Sequence, residues 1–162
     1  MRVVSDTSPV SNLAVIGRLD FLRQLHGTVL IPPAVALELS GLRHAGAHSS
    51  IEAALSDGWL KIEPVQILIE QIPRLHIGEI ESIALAFETP GTLLLMDETD
   101  GRTEARKRGI LLGGAVGVLI AARKREWIPA LKPELNALRS KARFFLSPQF
   151  FAEVLSAVGE TA

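Results

Sequence analysis

Two aspartates each close a short apolar run: Asp6 follows Val3-Val4-Ser5, and Asp97 follows Thr92-Leu93-Leu94-Leu95-Met96. A carboxylate at the carboxyl end of a strand faces the crevice where open α/β sheets bind their ligands. Glu38 is the only acid between Asp20 and Glu52, set among Val35, Leu37 and Leu39, while Glu79 and Glu81 share the first turn of another helical pattern. Acids brought together without a cation would repel one another and raise their own pKa values, so a convergent cluster implies an ion. Oxygen ligands suit hard divalent cations such as Mg2+ and Mn2+. Such a centre most often serves hydrolysis or transfer at a phosphate, where the ion activates water and neutralises charge on the leaving oxygen.

Each acid also has a structural account. A glutamate such as Glu38 commonly faces solvent from a helix. Acids in a first turn favour the positive end of the helix dipole, which is reason enough for one of Glu79 and Glu81. At about 100° per residue these two point roughly 160° apart and cannot both face one ion. Capping accounts for one acid among Asp97, Glu98 and Asp100. It does not explain why two separate strands both end on aspartate.

The elements that must hold these acids alternate between short β-rich runs and longer helical patterns, which points to βαβ units and a mostly parallel sheet. Strands are expected at Arg2–Asp6, Thr28–Ile31, Leu60–Glu63, Thr92–Met96 and Ile110–Leu112. Helices are expected at Pro9–Ile16, Leu19–Leu25, Pro33–Ser40, Ser50–Ser56, Gly78–Glu88, Thr99–Arg108, Ala115–Arg125, Pro133–Ala142 and Pro148–Val158, and the apolar Val65–Leu75 also reads as helix. Ser8 reads as an N-cap with Pro9 at the first helical position, and Ser147 with Pro148 likewise. Ile80, Ile83, Ala84 and Phe87 form an apolar stripe at helical spacing.

At 162 residues, with 48% hydrophobic and 22% charged residues, the chain is expected to form a single domain over 1–162 with a sizeable core. The longest uncharged stretch, Gly109 to Ala122, holds four glycines and falls short of the roughly 20 residues that span a bilayer. No secretory signal is evident, and zero cysteines exclude disulfides and thiolate zinc sites, so a cytoplasmic protein without a membrane partner is expected. The net charge of −1 is unevenly spread: residues 1–96 carry six Lys+Arg against ten Asp+Glu, and residues 97–162 eleven against eight. A metal centre beside a polyanion-binding surface has this distribution, as do many solvated surfaces.

Other constellations carry less. His44 and His48 have the i, i+4 spacing of helical zinc ligands, but Ala45-Gly46-Ala47 between them is a poor helix interior and no third ligand is near. His76 is close enough to Glu79 in sequence to shuttle a proton, though a surface turn explains it as well. Gly113-Gly114-Ala115-Val116-Gly117 lacks the lysine and hydroxyl of a phosphate-binding loop, and reads as close helix–sheet packing. Arg102, Arg106, Lys107 and Arg108, with Arg123-Lys124-Arg125, could line a path for a phosphate backbone or cover a solvated helix face. With no tyrosine and only 5% aromatic residues, base stacking is not expected to dominate binding.

Ser5-Asp6-Thr7-Ser8-Pro9, Ile31-Pro32-Pro33 with Glu38-Leu39, Gly78-Glu79 with Ile83-Ala84-Leu85-Ala86, and Leu94-Leu95-Met96-Asp97 with Gly101-Arg102 follow in that order. Together they resemble the PIN domain, and within it a family of small prokaryotic proteins described as predicted nucleic-acid-binding, related to VapC-type toxin ribonucleases. The resemblance covers nearly the whole chain, including Gly114 to Gly117 and Leu146-Ser147-Pro148. It implies a three-layer α/β/α fold and a Mg2+- or Mn2+-dependent ribonuclease. The acidic site then falls on Asp6, Glu38, Glu79 and Asp97, both as metal ligands and as catalytic residues, with Thr7 or Ser8 the polar residue beside the first aspartate. Thr7, Ser8, Arg102 and Arg106 are the candidate substrate contacts. The last motif departs from the family's pattern: Asp97-Glu98-Thr99-Asp100 offers three acids, and which accompanies Asp97 is open. RNA as substrate, a small antitoxin and a second copy of the chain are the partners considered. The rivals are a non-catalytic nucleic-acid- or partner-binding module and a Mg2+-dependent phosphatase with Asp6 as nucleophile. Serine at position 8 removes the Asp-x-Asp pattern that would favour the phosphatase.

Overall fold

In the computed structural model residues 1–67 and 69–162 are described. Among them are five strands: β1 (Val3–Ser5), β2 (Val29–Ile31), β3 (Leu60–Ile62), β4 (Leu93–Leu95) and β5 (Leu111–Gly113). They form an all-parallel sheet in the order β3-β2-β1-β4-β5. The helices are α1 (Thr7–Val15), α2 (Asp20–His26), α3 (Pro33–Ser40), α4 (Ala45–Asp57), α5 (Ile77–Phe87), α6 (Thr99–Lys107), α7 (Ala115–Lys124), α8 (Lys132–Lys141) and α9 (Pro148–Ala157). No helix among the described residues is long and apolar enough to cross a membrane.

Strand alternation divides the core into two. Val3, Val29, Ile31 and Leu95 pack with buried residues of α1 to α4 and α7 to α9, such as Leu13, Leu22, Val35, Ile51 and Leu119. Val4, Leu94 and Met96 project to the other face, against Ile83, Leu85 and Ala86 of α5 and Ala105 of α6. This is the three-layer α/β/α arrangement. Because both faces are covered, the strands read as apolar runs and not as alternating ones.

The register places the acids. Ser5 pairs with Leu95, and the Asp6 N–H donates to the Leu95 carbonyl at 2.9 Å. Asp6 and Asp97 therefore leave the same end of two adjacent central strands. The strand order reverses between β1 and β4, and open sheets bind ligands at such a switch point.

Several expectations are corrected. Helix α1 begins at Thr7 with Asp6 in the cap position, not at Pro9 with Ser8 as cap. Proline is accommodated anywhere in a first turn, whose N–H groups have no intrahelical acceptor, so Pro9 does not fix the first residue. Helix α4 starts at Ala45, five residues before the expected Ser50, because His44 Nδ1 accepts the Ala47 N–H at 3.0 Å and Ala47 and Ile51 are buried. Tertiary burial outweighs the cost of Gly46 in the first turn. The described residues of Val65–Leu75 form no helix; Leu68 lies outside the described residues. Pro64 precedes this segment and Pro73 lies within it, pushing Ile72 away from helical backbone. Glu88 Oε1 accepts the N–H groups of Gln66 and Ile67, while Val65, Ile69 and Leu75 pack on the second core cluster. Leu37 is 75% exposed and Phe87 50% exposed, so neither belongs to its helix's buried face.

Candidate functional site

Asp6 is only 4% exposed. The Ser82 hydroxyl lies 3.4 Å from its Oδ1 but 2.7 Å from the Gly78 carbonyl, to which its single proton is better placed. Burial raises the Asp6 carboxyl from 3.8 to about 7, with the carboxylates of Glu79 and Glu38 adding to the rise and the Thr7 N–H and Ser82 opposing it. Such a group is held ready for a positive charge that would take it back to the ionised form.

Glu38 comes from the second turn of α3, a helix started by Pro32-Pro33. Its Oε2 accepts the Thr7 hydroxyl at 2.6 Å. Thr7 thus orients a neighbouring acid and is spent on that bond. Glu79 sits in the first turn of α5, where its Oε1 accepts the His76 N–H at 3.3 Å and its Oε2 is buried without a partner. Burial lifts the Glu79 pKa above the usual range; the His76 N–H opposes this, and Glu98 and Glu38 add to it.

These three acids line one pocket of about 460 Å³ with Thr7, Ser8, His76, Ile77 and Glu98. Among the described residues, four of the eight that line it are carboxylates and none is Lys or Arg. Glu98, at the N-cap position of α6, is the acid of the last motif that faces this pocket, whereas Asp100 does not line it. Among the described residues no three His, Asp or Glu side chains stand close enough together to hold one ion as they are. The acids face one another across the pocket. An ion that keeps several waters, as Mg2+ does, needs only a few carboxylates from the protein.

Asp97 is set apart. Its Oδ1 accepts the Ala115 N–H at the start of α7 at 3.0 Å, and its Oδ2 is buried without a partner. Burial raises its pKa from 3.8 to about 6; the Ala115 N–H and Arg102 lower it, and Glu98 raises it. Asp97 lines two neighbouring pockets. One, lined by Ser8, Asn12, Glu98, Thr99 and Arg143 among others, shares Ser8 and Glu98 with the carboxylate pocket. The other is an apolar groove that includes Gly113, Gly114, Phe144, Phe145 and Phe150. Among the candidate acids the structure therefore groups Asp6, Glu38 and Glu79, adds Glu98, and leaves Asp97 next door.

Glu79 and Glu81 separate as their 160° spacing requires. Glu81 Oε1 accepts the Ala34 N–H at 3.0 Å, in the first turn of α3, so Glu81 is a dipole partner of a different helix and is half-buried, not solvated. Arg102 is likewise an internal brace: its Nη1 donates to the Met96 and Gly113 carbonyls at 2.7 and 3.0 Å, tying the ends of β4 and β5 together. Arg106, one turn on, is exposed. His44 caps α4, and His48 faces Glu52 at 3.9 Å, so the two histidines do not converge. Ser82 is not distinguished by its sequence context; its one signal is the i, i+3 spacing from Glu79 on one helix face.

The two unpartnered carboxylate oxygens bear on whether a cation fits. Leaving a buried acceptor unsatisfied costs about 1–3 kcal/mol, more for a charged group. Glu79 Oε2 and Asp97 Oδ2 both bear that cost, and a hard cation is the ligand that relieves it. The residues present fit Mg2+ or Mn2+.

A search of curated proteins finds no match. Among solved structures, the chain is similar to a PilT N-terminus domain protein from the hyperthermophilic archaeon Sulfolobus solfataricus P2, with a TM-score of 0.55 and 20% identity over 75% of this chain and 93% of that one. At that identity the likeness speaks for the fold. A family model described as PIN domain matches residues 2–160, and the chain belongs to the PIN domain family, whose members are generally nucleases.

Proposed function

We propose that this protein is a Mg2+- or Mn2+-dependent endoribonuclease of toxin or RNA-processing type. The observation that carries the reading is the pocket that Asp6, Glu38, Glu79 and Glu98 line, with no Lys or Arg among its described lining residues, together with the raised pKa of Asp6. When bound, the cation supplies water activation and neutralises charge on the leaving oxygen. Asp6, Glu79 and Glu38 would hold it from the turn after β1, from α5 and from α3, and Asp97 from the adjoining pocket. Thr7 fixes the Glu38 carboxylate through its hydroxyl. Without a cation the buried Asp6 carboxyl holds its proton more readily than a free aspartate, and cation binding releases it. RNA is then the substrate and, for a toxin, a small antitoxin the partner.

Purified protein incubated with single-stranded RNA should cleave it in Mg2+ or Mn2+ and stop with EDTA, and Asp6→Asn and Asp97→Asn should abolish cleavage while remaining folded. Equal cleavage by the wild type and both variants would sink the reading. The binding-module alternative is favoured by the absence, among the described residues, of three acids close enough for one ion. It is distinguished by RNA binding that persists while no cation yields cleavage.

A further inference from the structure

Two glycines stand where candidate carboxylates need room. Gly78, in the first turn of α5, faces Glu38 of α3: a Cβ at Gly78 would run into Glu38 Oε1 and lie 3.1 Å from its Cδ. Gly114, at the N-cap position of α7, faces Asp97: a Cβ there would run into Oδ1, the atom that accepts the Ala115 N–H. Neither glycine has a positive φ, so the backbone at both positions is open to any residue. Helix propensity by itself favours alanine at position 78. What alanine would take away is the space the carboxylate occupies.

The neighbouring glycines show that this is not a property of the whole run. Gly113, the last residue of β5, has its Cβ position 3.0 Å from Cδ2 of its strand partner Leu95, and Gly117 has nothing within 4 Å. Gly101 is a mixed case, because a Cβ there would meet Met96 Sδ as well as lie 3.2 Å from the orphaned Glu79 Oε2.

We propose that Gly78 and Gly114 are positioning residues of the carboxylate centre, each leaving the volume in which the acid of another element, Glu38 or Asp97, is seated. The proposal rests on the cation-dependent reading of that centre. The two sites differ in what a methyl group would do. Glu38 is exposed and can swing away from Gly78 at little cost in stability, losing its place at the pocket. Asp97 is short and pinned by Ala115, so it has nowhere to go.

The test uses thermal unfolding of the wild type, Gly78→Ala, Gly114→Ala and Gly117→Ala titrated with Mn2+. The Mn2+ concentration giving the half-maximal shift should rise at least about tenfold for the first two variants, as for residues that orient metal ligands. Gly117→Ala should titrate like the wild type. In EDTA, Gly114→Ala should lower the urea midpoint, and the loss should vanish when the same change is made in an Asp97→Ala background. If Gly114→Ala alone fails to fold, recovery in the double variant still supports the proposal. Wild-type Mn2+ titration in both variants would overturn it, as would a loss of stability that persists without Asp97. A wild type with no Mn2+ shift would remove the cation reading, while the urea comparison would still decide the steric coupling.

Discussion

Replacing Asp6 with asparagine should stabilise the metal-free protein, and the gain should grow with pH. The Asp6 carboxyl rises from 3.8 to about 7 in the fold, so folding opposes its ionisation. Below pH 3.8 the carboxyl is protonated in both folded and unfolded chains and the penalty is absent. It builds as pH rises, because the unfolded chain ionises first, and levels off above about pH 7. At roughly 1.4 kcal/mol per pH unit the full penalty is about 4 kcal/mol. An asparagine amide left without an acceptor in this buried place would return about 1 kcal/mol of that. The net gain is about 3 kcal/mol at pH 8, which for a chain of this size corresponds to roughly 6–12 °C in Tm. Urea denaturation of the wild type and Asp6→Asn in EDTA at pH 4, 6 and 8 reads this directly. A difference that stays constant with pH, or an Asp6→Asn protein less stable than the wild type at pH 8, would refute the reasoning and make Asp6 a structural aspartate.

The same geometry sets further outcomes. Mn2+ should raise the wild-type Tm, with an affinity that increases between pH 5 and pH 8 as Asp6 and Asp97 give up protons on binding; calorimetry in buffers of different ionisation enthalpy would show that release, and pH-independent binding would contradict it. Glu79→Gln should remove most cation-dependent cleavage, whereas Glu81→Gln should change little, since its amide oxygen can still accept the Ala34 N–H; the opposite pattern in a cleavage assay would place Glu81 at the site. Arg106→Ala should weaken RNA binding across sequences and lower the salt slope by about 1. Arg102→Ala should instead cost stability, because the Met96 and Gly113 carbonyls lose their shared donor; a stable Arg102→Ala protein with a flatter salt slope would reverse these assignments.

How much could be read from the chain depended on whether the cause was local. The strands were legible because both sheet faces are covered, which leaves unbroken apolar runs such as Val3-Val4 and Leu93-Leu94-Leu95. With the runs in place, Asp6 and Asp97 at their ends follow from parallel register. The division between Glu79 and Glu81 was legible from helix geometry. Features set by tertiary contact were not. Phe87 fits the apolar stripe of its helix, yet it is the last residue of that helix and half of it faces solvent. Arg102 has the sequence context of a phosphate contact, but β4 and β5 end beside it and offer two carbonyls. That Asp97 faces a different pocket from Asp6 depends on Ala115, 18 residues away, drawing its carboxylate to the start of α7. The room left by Gly78 and Gly114 is visible only with the opposing carboxylates in place.

The central claim is that the carboxylate pocket supports cation-dependent cleavage of RNA. The most direct measurement is the rate at which purified wild type, Asp6→Asn and Glu79→Gln cut one single-stranded RNA, with and without Mn2+. Cleavage by the wild type alone, only in Mn2+ and stopped by EDTA, is the expected result. Cleavage at the same rate by all three proteins would contradict the claim, as would an inert wild type under conditions where Mn2+ raises its Tm.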